Sequence, residues 1–439
     1  MKLSTLAALL GILATLGCVT PDSGSPDIRF VAIWATSQQI PEPENALAPA
    51  DMTDATIRQI VHITHSASAV RVKFSNVFGT APLHIASAHI ANALKPGTTA
   101  IDPASDIALR FNGQPDVIIP AGADYLSDPA PFTAPAFADI AISIHLDTAP
   151  AQQTGHPGSR TTTFYVHGDQ VSAADLPGAR QVAHWYQIAA IDTPTMMRDA
   201  AAIAIIGDSI TDGRGSTTDG NNRWPDQLAA RLQASPTTAN LSVLNLGIGG
   251  NRLLNDGKGP NALARFDRDI LAQAGVRYVI VLEGINDLGT LPHDASPQQH
   301  TDLVARMIDA YAQMVARAHA RGLKIYGATI LPYMGTTGYA PTAVNEADRQ
   351  AVNAWVRAPG HFDAVIDFDA AMRDPAQPDR LNPAYDTGDH LHPNVAGYAA
   401  MAAAVPLALF HEDAAAAGTY QAPLYTPPVS SAPLRVRAR

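Results

Sequence analysis

Two periodicities divide the chain. Between about residues 29 and 190 apolar positions recur at every second residue: Val70, Val72 and Phe74 alternate with Arg71, Lys73 and Ser75. A period of two sends successive side chains to opposite faces and predicts strands. Further strands are predicted at 60–64, 85–90, 107–111, 117–119, 140–146, 161–167 and 182–188. Turn signals such as Lys95-Pro96-Gly97, Asn112-Gly113 and Pro157-Gly158 separate them. Many short strands with Gly and Pro between them predict an all-β sandwich, jelly-roll-like, over residues 28–195.

Near Arg198 the pattern changes. Residues 200–206 are apolar without interruption and end at Gly207, the signature of a strand buried on both faces of a parallel sheet. Strands are then predicted at 242–246, 278–282, 324–329 and 364–368, alternating with helices at 224–232, 263–274, 301–321, 345–355 and 395–409. Five alternations predict a parallel α/β sandwich with right-handed crossovers over residues 199–412. Reactive groups in such sheets gather beyond the carboxyl ends of the strands.

The flanks differ from both regions. Residues 6–16 form an apolar run after Lys2 and lead into Gly17-Cys18, too short for a membrane span and built like an export signal over residues 1–18. The Leu16-Gly17-Cys18 ending resembles a lipobox, in which Cys18 would carry the lipid, although Thr15 stands where Leu is usual. The other reading is a plain secretory peptide with an incidental Cys. Residues 19–27 read as a linker and 413–439 as a Pro-rich tail. The protein is therefore expected to be exported: periplasmic, secreted, or tethered to the outer membrane through Cys18.

Composition narrows the functional classes. A length of 439 residues suits about two domains, and 46% hydrophobic with 16% charged residues suits a globular chain. Lys+Arg 29 against Asp+Glu 40 gives a net charge of −11, which argues against a nucleic acid partner. A single Cys excludes an intramolecular disulfide and a Cys-based zinc cage.

Four polar clusters follow predicted strands or precede the last helix: Gly207-Asp208-Ser209, Gly247-Ile248-Gly249-Gly250-Asn251, Gly284-Ile285-Asn286-Asp287 and Asp389-His390-Leu391-His392. Each supplies a part that acyl transfer requires. A serine attacks only when a base takes its proton, the base needs an acid to hold its tautomer, and the oxyanion needs fixed donors. Ser209 is the candidate nucleophile, His392 the base and Asp389 its orienting carboxylate. The Ser209 and Gly250 N–H groups and the Asn286 side chain are the candidate oxyanion donors. Asp208 and Asp287 are candidate supports that fix their loops.

Taken together, in this order, the four clusters resemble the blocks of the SGNH (GDSL) hydrolase superfamily. Ile210 stands where the name motif has Leu. The resemblance implies a flavodoxin-like three-layer α/β/α domain and ester hydrolysis by a Ser209-His392-Asp389 triad. It also implies an oxyanion hole from Ser209, the block-two glycine and Asn286. Gly249 and Gly250 compete for block two, and Gly250 is preferred because it precedes the polar Asn251. The resemblance covers about residues 200–410, and similar β domains precede some secreted members.

The expected activity is hydrolysis of small acyl esters, chiefly acetyl, on a small molecule or polysaccharide, with no metal or cofactor. A lipase or lysophospholipase of the envelope is the alternative, and a carbohydrate-binding protein with a vestigial site is the alternative of another class. Residues 247–252 imitate a dinucleotide loop but carry Arg252 where Gly is required. His62, His65, His84, His89 and His145 lie in or beside strand patterns and read as surface or core residues rather than metal ligands. His390 reads as an exposed loop residue or a pocket residue. Trp34, Trp185 and Tyr186 read as core packing, with stacking on a sugar ring as the alternative.

Overall fold

The computed structural model describes residues 28–411, so the proposed leader, Cys18, the linker and the Pro-rich tail lie outside the described residues. The α/β half is built on five parallel strands: β1 Ala201–Gly207, β2 Leu241–Gly247, β3 Val276–Leu282, β4 Lys324–Ala328 and β5 Ala364–Ile366. Their order across the sheet is β2-β1-β3-β4-β5, the doubly wound arrangement in which the first crossover runs outward and the next reverses. Every residue of β1 is buried, as expected of a central strand covered on both faces.

The main helices are α1 Trp224–Gln233, α2 Pro297–His319, α3 Ala343–Arg357 and α4 Val395–Ala404. α1 packs with α4, and α2 with α3, giving two helical groups against one sheet. The helix expected at 263–274 is instead a short α-helix, Ala262–Phe266, that widens into a π-helical turn, Asp267–Leu271. α4 ends at Ala404 because Pro406 follows, and a 3₁₀ turn, Leu407–Phe410, completes the segment.

The β-rich half is mostly antiparallel. A four-stranded sheet pairs Arg29–Ala35, Ile188–Thr195, Arg71–Ser75 and Asp124–Leu126 in that spatial order. A six-stranded sheet is centred on Ala55–His62, Asp139–Leu146 and Ser87–Asn92. Inward residues of both sheets, among them Ile33, Val72, Phe74, Ile57, Ile90 and Ile142, share one core.

Three expected strands are broken. The run 85–90 divides at Ala86, where the chain leaves a small sheet with Val117–Ile119 and joins the six-stranded one. The run 182–188 falls in three strands, Arg180–Val182, Trp185–Tyr186 and Ile188–Thr195, and Gln187, at φ 56°, turns the backbone between the last two. The run 107–111 keeps only Ile107–Ala108.

The halves share a seam along β2, an edge strand of the parallel sheet. The Val243 N–H donates to Thr64 Oγ1 at 2.9 Å, and the Thr64 hydroxyl lies 3.1 Å from the Val243 carbonyl. Ser242 Oγ donates to the Ala32 carbonyl at 2.6 Å, and Ser37 Oγ to the Leu246 carbonyl at 2.9 Å. Polar groups left open at a sheet edge are thereby satisfied by the β-rich half.

Candidate active site

The site is assembled where β1, β2 and β3 end. After Gly207 the chain turns at once into a short helical turn, Ser209–Asp212. A Cβ at residue 207 would lie 2.2 Å from Thr211 Oγ1 and 2.8 Å from the Leu282 carbonyl, so only glycine permits this close approach. Asp208 caps the turn, its carboxylate accepting from the Ile210 N–H at 2.9 Å. That leaves the Ser209 hydroxyl at the cleft.

The proton path is a chain of two hydrogen bonds. Ser209 Oγ lies 2.9 Å from His392 Nε2, and His392 Nδ1 lies 2.6 Å from Asp389 Oδ2. Asp389 Oδ1 also accepts from the Leu391 and His392 N–H groups, at 3.0 and 2.8 Å, so the loop that carries His392 is wound onto its own carboxylate. Partial burial favours the neutral acid, but the bonds from the His392 ring and backbone outweigh it and hold Asp389 down to about 2. Burial, the largest influence on His392, lowers its basicity; Asp389 opposes this, and the Arg214 and Arg160 guanidinia add to the lowering. His392 is thus an unprotonated base in neutral solution.

The expected oxyanion donors face the same cleft, which Ser209, Gly249, Gly250, Asn286 and His392 all line. Gly250 adopts φ +77°, a left-handed conformation that glycine takes without strain. The Ser209 and Gly250 N–H groups donate to no other group among the described residues. Asn286 is held at both ends of its amide: Nδ2 donates to the Asn251 carbonyl at 2.7 Å, and Oδ1 accepts from the Tyr339 hydroxyl. One Asn286 N–H remains for a ligand. Asp287 accepts from the Leu253 and Leu254 N–H groups at 2.6 and 3.0 Å, tying the loop after β3 to the loop after β2. Burial pushes Asp287 up to about 6 against those bonds, and it raises Asp208 and Glu283 as well.

Two supports escaped the sequence reading. Arg265, fully buried, donates to the carbonyls of Gly207 at 3.0 Å and Leu246 at 2.7 Å, and lies 3.3 Å from Glu283 Oε1. It also donates to Ser37 Oγ at 2.8 Å and Asn251 Oδ1 at 2.9 Å. One guanidinium therefore clamps three strand ends and the β-rich half, a fixed framework for the donors.

The second support is a histidine from the β-rich half. His156 Nε2 lies 2.9 Å from Asp212 Oδ1, at the far end of the Ser209 turn, and its Nδ1 lies 2.9 Å from the Ser37 carbonyl. A carbonyl only accepts, so Nδ1 carries a proton. These side chains are 3% and 1% exposed, whereas those of His392 and Asp389 are 5% and 41% exposed. Nothing near His156 announces this role, since its partner is 56 residues away and Gly155-His156-Pro157-Gly158 reads only as a turn.

Other candidates fall elsewhere. His390 bonds to Asp386 at 2.6 Å and lies off the cleft. His62, His84, His89 and His145 each bond an aspartate, and His65 Nδ1 lies 2.9 Å from the Ser66 carbonyl. Trp34, Trp185 and Tyr186 are buried in the β-rich core, Trp34 meeting Trp185 edge to face at 5.0 Å, so none is open to a sugar ring.

Comparison with known proteins finds partial likenesses. The chain is similar to a G-D-S-L family protein from Desulfitobacterium hafniense, with 21% identity, 46% of this chain and 97% of that one covered, and a TM-score of 0.35. It is similar also to the acetylxylan esterase Axe2 from Geobacillus stearothermophilus, with 22% identity, 47% and 94% covered and a TM-score of 0.35. A third is LAE5, an alpha/beta hydrolase from the metagenome of Lake Arreo, with 23% identity, 48% and 94% covered and a TM-score of 0.35. No curated protein matches the chain. Residues 205–400 match the model of the GDSL-like lipase/acylhydrolase family. The matched span includes every loop that carries the hydrogen-bonded serine, its histidine and the free donors, so the α/β half is a GDSL-like lipase/acylhydrolase domain and the protein a carboxylic ester hydrolase.

Proposed function

We propose that this protein is an exported serine esterase that removes small acyl groups, chiefly acetyl, from carbohydrate. The observation that carries the mechanism is the relay from Ser209 Oγ through His392 to Asp389, with spacings of 2.9 and 2.6 Å. Ser209 Oγ attacks the ester carbonyl carbon as its proton passes to His392 Nε2. The oxyanion is held by the Ser209 and Gly250 N–H groups and the free Asn286 N–H. Collapse breaks the bond to the alcohol oxygen, which takes the proton from His392 and leaves. Water, deprotonated by His392, then attacks the acyl-serine, and the acid departs as Ser209 regains its proton. Asp389 holds the histidine tautomer throughout.

The polar cleft favours a hydrophilic alcohol: Glu42, Asn45 and His184 of the β-rich half and Thr336 and Thr337 of the other line it. Export rests on the apolar run at 6–16. The test is acetate release from acetylated polysaccharides by wild type and Ser209→Ala, beside acetyl, butyryl and octanoyl esters. Acetate release that disappears in Ser209→Ala is expected. Preference for octanoyl esters would assign a lipase, and absence of hydrolysis by wild type would assign a binding protein.

A further inference from the structure

The cleft holds three cations that no neighbouring group engages. Arg160, Arg214 and Lys258 line it beside Ser209 and His392. None of the three side chains has a hydrogen-bond or ion-pair partner among the described residues, and Arg160 Nε is buried without one. Each acid that lines the same cleft already has a partner on at least one carboxylate oxygen, although Asp212 Oδ2 has none among the described residues. Glu42 accepts from Gln39 and Asn45, Asp212 bonds His156, and Asp389 bonds His392. With Glu42, Asp212 and Asp389 the lining is formally neutral, in a chain of net charge −11, and its three cations are the groups left without a partner around the nucleophile. A buried guanidinium nitrogen without an acceptor is also costly unless a ligand supplies one.

Position decides which part of the ester carries the matching charge. His392 must hand its proton to the departing alkoxide, so the alcohol leaves on the His392 side. Arg160 and Arg214 line the cleft together with His392, near enough for their charge to oppose protonation of its ring. Lys258 lies instead along the oxyanion side, where a Cβ on Gly250 would come within 2.9 Å of Lys258 Cδ. We infer that the alcohol released by this enzyme is anionic: the substrate is an acyl ester of a carboxylate-bearing sugar, whose carboxylate is received by Arg160 and Arg214. The inference rests on the proposed esterase reading and adds to it the charge of the acceptor. Arg160 comes from the β-rich half and Arg214 from the loop after the nucleophile turn, so the carboxylate would bridge the halves.

The experiment compares methyl 2-O-acetyl-glucuronoside with methyl 2-O-acetyl-glucoside, which present the same acetyl group and differ by one carboxylate. A succinyl ester of the neutral glucoside is the third substrate. The full chain is expected to favour the uronoside by about tenfold or more in kcat/KM at low salt, in keeping with a charge-assisted hydrogen bond. That advantage should shrink in 0.5 M NaCl, where ionic screening shortens. In Arg160→Gln/Arg214→Gln the ratio of the two constants should fall toward one, and Arg160→Lys/Arg214→Lys should recover part of it. A thermal melt of each variant separates misfolding from lost selectivity. Equal rates on the two acetyl esters would overturn the inference, as would a preference that survives the double Gln variant. Faster cleavage of the succinyl ester than of the acetyl uronoside would overturn it too, by moving the anion to the acyl side. Loss of all ester cleavage in wild type would overturn the esterase reading itself, which a neutral-ester assay reports separately.

Discussion

The two halves meet the cleft in different ways. The α/β half brings its reacting groups from loops at the ends of β1, β2 and β3 and from the segment before α4, where a buried sheet fixes their positions. The β-rich half brings Glu42, Asn45, Arg160 and His184 on connections between strands, together with His156 beneath the nucleophile turn. Under the proposed function one half holds the bonds that change, and the other lines the walls of the cleft. The difference also appears in the paired histidines. Asp389 is open to solvent, while His156 and Asp212 are both buried, so under the proposed function similar pairs serve proton transfer in one place and attachment in the other.

The sharpest way to break this division is Ser209→Ala. It should lower kcat/KM by roughly 10⁴-fold or more while the melting temperature stays near that of wild type. Activity that persisted would place the nucleophile elsewhere.

His156→Ala tests the opposite claim, that the β-rich half supports the nucleophile. It leaves Asp212 buried without its counter-group, and urea unfolding should report a loss of about 3–5 kcal/mol. A loss below about 1 kcal/mol would mean that the halves stand independently.

Asp287→Asn sharpens where the electrostatic cost lies. The folded state keeps the Asp287 proton up to about 6, whereas the unfolded chain releases it near the ordinary 3.8. The folded state therefore binds more protons between those values, and stability falls as pH rises through that window. Asn cannot ionise, so the stability of wild type relative to Asp287→Asn should fall by roughly 2–3 kcal/mol between pH 4 and pH 7. Denaturant unfolding at both pH values would reveal a constant gap if the carboxyl were in fact ionised throughout.

The smallest expected effect concerns His392. Burial and the two arginines hold it below its ordinary 6.5, so the acid limb of kcat/KM should lie below that value. Arg160→Gln/Arg214→Gln removes two cations that oppose its protonation and should move the limb to higher pH. An unmoved limb in the pH–rate profile would separate those arginines from the base.

How much of this was legible in the sequence also differs between the halves. A strand buried on both faces must be apolar at every position, so residues 200–206 announce β1 and the polar residues after it announce the site. In the β-rich half the alternation breaks wherever a strand changes sheets, as at Ala86, or turns, as at Gln187. The strand Ile188–Thr195 escaped notice because Asp192, Thr193 and Pro194 interrupt its apolar pattern. Asp192 is tolerated there through its ion pair with Arg71 at 2.9 Å. Asp389 and His392, three residues apart, can be read as a pair. Arg160 and Arg214 belong to different halves, and no local pattern unites them.

The covered edge of β2 has a consequence for solubility. Thr64, Ala32 and Ser37 occupy positions where another strand could dock. An α/β half expressed by itself would present Leu241–Gly247 as a bare, apolar edge open to pairing with its own copies. The β-rich half thus also acts as a guard against self-association, and aggregation would conceal the loss of activity in any attempt to isolate the catalytic half.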